Sequence, residues 1–161
     1  MAREYGRVVV ALSLMCGSRQ LAEDAVQEAL ARAAAISANG ERIENLAAWV
    51  TVVARNVARG GLRRLRAELR AKSRYTDAAR TRQHHAGSLD PLEVAQAVRS
   101  LRPRQREAIA LYYFADLPIR DVAMVMKLHP EAVKGLLARG RTALALALRV
   151  EDETFMKGDL R

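Results

Sequence analysis

Apolar residues in this chain recur at intervals of three and four, in two blocks divided by a stretch with weak periodicity. That interval marks one face of an α-helix, so the pattern confines the chain to an all-α fold. In the first block, Tyr5, Val8, Val9, Leu12 and Met15 share a face of a helix expected over 4–16. Gly17-Ser18 closes it, and Ser18 is placed to cap the next helix, 19–36. Leu21, Ala25, Ala29, Ala33 and Ile36 form the expected inner stripe there, while Asp24, Gln27 and Glu28 gather on a polar face. A turn at 37–40 leads to a third helix, 46–70, with Trp49, Val53 and Val57 as its apolar side. Residues 73–89 read as a linker. The expected layout is therefore two small helical domains, 1–72 and 90–150, joined by a flexible linker and followed by a tail, 151–161.

The second block opens on a strong helix start: Asp90 as cap, Pro91 at the first position and Glu93 at the third. A short helix to Ser100 precedes another over 104–114, with Ile109, Tyr112 and Tyr113 available for packing, which Asp116-Leu117-Pro118 ends. A helix over 119–126 with Val122, Ala123 and Met126 inward, the connection Lys127-Leu128-His129, and a helix from Pro130 to about Ala147 then make a helix-turn-helix. The second helix of such a pair enters the major groove by its N-terminal part. That exposes His129, Glu131, Ala132, Lys134 and Gly135 to bases and sets Arg139 and Arg141 near phosphates.

Charge agrees with a polyanionic partner. The chain carries 27 Lys and Arg against 18 Asp and Glu, a net +9. The excess is concentrated between Arg55 and Arg74, where Arg55, Arg59 and Arg63 recur at every fourth position. The single cysteine, Cys16, cannot form a disulfide within the chain, which suits a reducing, cytoplasmic setting, and it reads as a small core residue. No secretory leader is evident, and the longest apolar run is too short to cross a bilayer, so no membrane insertion is expected. Enzyme signatures are missing as well: there is no phosphate-binding glycine loop and no metal-ligand cluster. His84-His85 lack nearby partner ligands, and Asp24 with Glu28 is better read as a contact face than as an acid–base pair.

From Tyr5 to Ala147 the chain resembles the extracytoplasmic-function (ECF) sigma factors of bacterial RNA polymerase. The first domain resembles conserved region two, in the run from Gly17 to Ala29, in Ala48-Trp49-Val50 and in the run from Val53 to Ala58. The second resembles region four, in the run from Leu101 to Ala108, the run from Tyr113 to Leu117, Asp121-Val122-Ala123 and Val133-Lys134. The resemblance implies a protein that binds core RNA polymerase and directs it to promoters, with no catalysis and no cofactor or metal of its own. It implies that Asp24, Gln27 and Glu28 dock on the polymerase's clamp helices. The turn from Ser37 to Asn45, together with Arg55, Asn56, Arg59, Arg63 and Arg64, would serve the minus-ten element or the polymerase core. The helix from Pro130 would read the minus-thirty-five element, and an anti-sigma protein is an expected partner.

The chain departs from that family's pattern in the helix-turn-helix. Lys127 stands where a glycine is usual, His129 where Ser or Thr caps the reading helix, Ala132 where Ser or Thr is common, and Leu136 where Arg is common. Pro118 replaces the usual cap of the preceding helix, and Ala33-Ala34-Ala35 stands where larger residues are frequent. Weak or unusual minus-thirty-five reading is therefore expected. The rival readings are a sigma-fold DNA-binding regulator or decoy that recruits no polymerase productively, and a purely protein-binding helical module.

Overall fold

The computed structural model describes residues 2–72 and 91–148, and among these every regular element is helical. The linker, His84-His85, the Asp90 cap and the tail lie outside the described residues. The first domain holds α1 (Ala2–Cys16), α2 (Arg19–Ala38) and α3 (Leu46–Lys72). Gly17, at φ 79, makes the left-handed step between α1 and α2, and Ser18 caps α2 by accepting a hydrogen bond from the Leu21 amide at 3.2 Å. Asn45 caps α3 in the same way, its Oδ1 accepting from the Ala48 amide at 3.0 Å.

The second domain comprises α4 (Pro91–Ser100), α5 (Pro103–Ile109), a π-helical turn (Ala110–Phe114), α6 (Ile119–Met126) and α7 (Pro130–Leu148). The helix expected over 104–114 thus changes pitch midway. The Ala115 amide reaches back five residues to the Ala110 carbonyl at 3.0 Å, which admits one extra residue into the turn. This rotates the aromatic run. Leu111 is fully buried, Tyr112 partly so, and Tyr113, expected to be available for packing, is 39% exposed.

The inner stripes are also rotated from expectation. On α2 the buried residues are Ala22, Ala25, Val26, Ala29 and Ala33, whereas Leu21 and Ile36 lie only at the margin. On α3 they are Ala48, Val50, Thr51, Ala54, Arg55 and Ala58, with Trp49, Val53 and Val57 packed at the edge. Alanine explains the shift. It gives little area per residue, so it lets helices approach closely without marking in the sequence which face does so.

One feature joins the domains. Helix α1 turns Val8, Val9 and Leu12 into the first domain's core and Ala11 and Leu14 into the second's, and Met15 packs against both. Its second face meets the π-helical turn, α4 and α5, while α3 meets α6.

Candidate polymerase and nucleic-acid interfaces

The acidic face of α2 forms as expected. Asp24, Gln27 and Glu28 are all exposed. The carboxylates are held by neighbours on the same helix: Gln20 donates to Asp24 at 2.9 Å, and Arg32 pairs with Glu28 at 2.8 Å. Such exposed i, i+4 pairs contribute only a few tenths of a kcal/mol, so both carboxylates can exchange these partners for a binding protein.

On α3, Asn56, Arg59, Arg63 and Arg64 are exposed, and no ion pair is formed by the three arginines among the described residues. Arg55 differs. Although it continues their four-residue spacing, it is only 4% exposed, and its Nε donates to Glu107 of α5, itself 7% exposed. The expected phosphate contact is in this conformation a buried ion pair between the two domains. The reason is positional: the first turns of α3 are covered by the second domain, and its later turns extend beyond it. Nothing in the spacing of arginines along a helix reports what another domain lays over them.

The helix-turn-helix has the expected bounds. Lys127 ends α6 in the left-handed conformation, φ 55 and ψ 52, as its place at a glycine position requires. His129 substitutes for a hydroxyl cap. Its Nδ1 accepts from the Glu131 amide at 3.4 Å, a long hydrogen bond, and its carbonyl takes the Ala132 and Val133 amides. At the start of α7, His129, Glu131, Ala132 and Lys134 are exposed and Gly135 partly so, with Arg139 exposed further along. Lys134 bonds Glu131 at 2.8 Å, which lowers the Glu131 carboxyl from its ordinary range. Arg141 corrects the expectation: it is 8% exposed and lies in the interior, with Nη1 3.4 Å from the Tyr113 hydroxyl. It supports the π-helical turn and does not face outward.

Three residue pairs that the sequence did not single out tie the domains together. Besides Arg55–Glu107, Asn45 Nδ2 donates to Asp121 Oδ2 at 3.0 Å, and Arg7 pairs with Asp116 at 2.7 Å. Asp121 is 5% exposed and sits in the first turn of α6. Asn45 therefore caps α3 with one end of its amide and holds the helix-turn-helix with the other. Glu107 and Asp121 lie within motif runs already noted, which is the only signal that could have drawn attention to them. Cys16 is half-buried, and burial pushes its thiol above the ordinary range, as suits a packing residue. Among the described residues no cluster of ligating side chains could hold a metal ion, and no helix is long and apolar enough to cross a membrane.

Comparison with known proteins agrees with this geometry. The family model for sigma-70 region 2 matches residues 1–68, and that for sigma-70 region 4 matches residues 92–144. An ECF RNA polymerase sigma factor, EcfG, from Rhodopseudomonas palustris (strain TIE-1) is 30% identical over 138 residues, covering 85% of this chain and 76% of that protein. Among solved structures, the sigma factor RpoE of Bartonella quintana, crystallised with the anti-sigma factor NepR, is similar with a TM-score of 0.73. The likeness covers 92% of this chain and 93% of that one at 25% identity.

Proposed function

This chain belongs to the sigma-70 family, among its ECF sigma factors, and we propose that its two domains divide promoter recognition through the surfaces described above. As a sigma factor it binds core RNA polymerase and promoter DNA and directs transcription initiation; its family carries no catalysis of its own. In the proposed division, residues 1–72 dock on polymerase through Asp24, Gln27 and Glu28. Asn56, Arg59, Arg63 and Arg64 follow the opened strand at the minus-ten element, where unstacked bases are read and arginines track the backbone. Residues 90–150 engage the minus-thirty-five element through the start of α7. Lys134 and Arg139 meet phosphate there, while Ala132 and Gly135 offer little hydrogen bonding to base edges, so discrimination at this element is weak. Arg55 joins the minus-ten set only when it leaves Glu107. An anti-sigma protein is the regulatory partner, by analogy with the Bartonella quintana factor solved with NepR. The site of action is the cytoplasm, with the polymerase.

The observation that carries this reading is the coexistence, on one chain, of an exposed acidic face on α2 and an accessible reading helix at α7. A stand-alone DNA-binding protein has no use for the former. The test is run-off transcription with bacterial core polymerase on a genomic fragment library, paired with direct measurement of core binding. Wild-type protein is expected to give new, specific starts. Asp24→Ala with Glu28→Ala is expected to weaken core association by roughly tenfold, about 1.4 kcal/mol, with helical content unchanged because both residues are exposed. Core association equal to wild type would remove α2 from the docking surface.

A further inference from the structure

We propose that Glu131, with Lys134 beside it, determines base preference at the minus-thirty-five element by selecting one C·G base pair, an inference that rests on the sigma reading and names what the start of α7 recognises. Placement is the first support. Glu131 stands exposed in the first turn of α7. The chain entering it is stiff: Pro130 precedes it, and its own amide donates to His129 Nδ1 at 3.4 Å. Its neighbours on the exposed side are small. Ala132 carries a single side-chain carbon and Gly135 none, so the helix can lie close to the floor of a groove, where a side chain of glutamate's length reaches base edges.

Charge is the second support. A carboxylate facing DNA is repelled by the phosphates unless cations stand beside it and a donor receives it. The cations are present. Lys134 Nζ lies 2.8 Å from Glu131 Oε1. Glu131, Gly135 and Arg139 recur every four residues and so lie along one line of the helix. A β-carbon on Gly135 would lie 3.4 Å from Arg139 Nη1, so the Arg139 head folds back along that line toward Glu131. Lys134 also holds the Glu131 carboxyl below its ordinary range, which keeps it ionised and an acceptor only.

The chemistry of the groove decides what such an acceptor can receive. The donors of the major groove are the exocyclic amines of cytosine and adenine. In a C·G pair, cytosine N4 and guanine O6 are a donor and an acceptor about 2.9 Å apart, the length of the hydrogen bond that joins them. Glu131 Oε1 and Lys134 Nζ are an acceptor and a donor at 2.8 Å, so carboxylate can face amine while ammonium faces carbonyl. An A·T pair offers the same two groups but sets adenine N7, an acceptor, against the carboxylate and the thymine methyl against the ammonium. The C·G pair instead gives the ammonium a second acceptor, guanine N7. The three donors of Lys134 cover Glu131, guanine and the phosphate assigned above. Discrimination at the element is then concentrated on one base pair.

The test is run-off transcription by core polymerase loaded with the full chain, on a promoter it selects from genomic fragments, randomised across the minus-thirty-five element and sequenced before and after. Wild-type protein is expected to enrich C at one position by about tenfold. Glu131→Gln presents a carboxamide, which pairs with adenine N6 and N7, and is expected to move the enrichment at that position from C to A while the other positions keep theirs. Glu131→Ala is expected to abolish the preference there. Both variants change an exposed side chain, and helical content equal to wild type is expected. Base profiles equal to wild type in both variants would overturn the assignment. So would a uniform loss across all sequences with preference unchanged, which is what a charge serving only the helix end would give. Wild-type protein that yields no transcript would count against the sigma reading instead. Selection of randomised duplexes by the full chain alone would then decide Glu131 by the same change from C to A, and a chain that retains no duplex would overturn it.

Discussion

Lys127 shows what a single residue can report. A left-handed conformation costs a residue with a β-carbon about 1–2 kcal/mol relative to glycine, and Lys127 adopts it to end α6. Glycine there would remove that strain, although it adds freedom to the unfolded chain. Lys127→Gly is expected to stabilise the protein by about 1 kcal/mol, measured as a higher urea midpoint with unchanged slope; a lower midpoint would mean that the lysine side chain contributes more than its backbone costs. This strain was legible through the family resemblance, which puts a glycine where Lys127 stands. The fates of Arg55 and Arg141 were not. Each is an arginine on a helix among other arginines, and only what packs over it, Glu107 of the other domain for Arg55 and Tyr113 of its own domain for Arg141, separates them from exposed neighbours such as Arg59 and Arg139.

Helix ends and helix faces were unequally legible. The bounds of α6, and the starts of α2, α4 and α7, followed from Ser18, Pro91, Pro118 and Pro130, since caps and prolines act on adjacent backbone. Faces failed where alanine dominates, on α2, and where the pitch changes, after Ile109. Glycines within helices carry further information that composition hides. A β-carbon on Gly140 of α7 would lie 2.8 Å from Ile109 Cγ1, whereas one on Gly60 of α3 would meet nothing within 4 Å. The two helices α5 and α7 therefore touch through Gly140, and Ile109 is fully buried with nowhere to yield. Gly140→Ala is expected to destabilise by about 1 kcal/mol net, an overpacking cost of about 2 against a helix-propensity gain of nearly 1. Gly60→Ala, with only the gain, is expected to stabilise by about 0.8 kcal/mol. Thermal unfolding of the two variants should shift in opposite directions; shifts of the same sign would contradict the close approach at Gly140.

For the molecule as a whole, the net charge of +9 matters through its distribution. Arg59 and Arg63 project from the part of α3 that the second domain leaves open. Arg59→Ala with Arg63→Ala is expected to lower the affinity of the polymerase–promoter complex and to flatten its salt dependence, by about 1.4 in the logarithmic slope if both meet single-stranded phosphates. A slope equal to wild type would place them elsewhere. The two-domain layout and the helix-turn-helix could be anticipated because each depends on nearby sequence; the packing of the domains on each other could not, since it joins residues as distant as Arg7 and Asp116. That long reach bears on how the chain is made. Helix α1 is made before the second domain, yet its Ala11 and Leu14 belong to a core it shares with α4, α5 and the π-helical turn, which end at Phe114. At about 5–20 residues per second, the ribosome takes several seconds to pass from α3 to the end of the π-helical turn. During that interval the nascent first domain carries a wet apolar strip along α1, which is covered only once α4, α5 and the π-helical turn have been made.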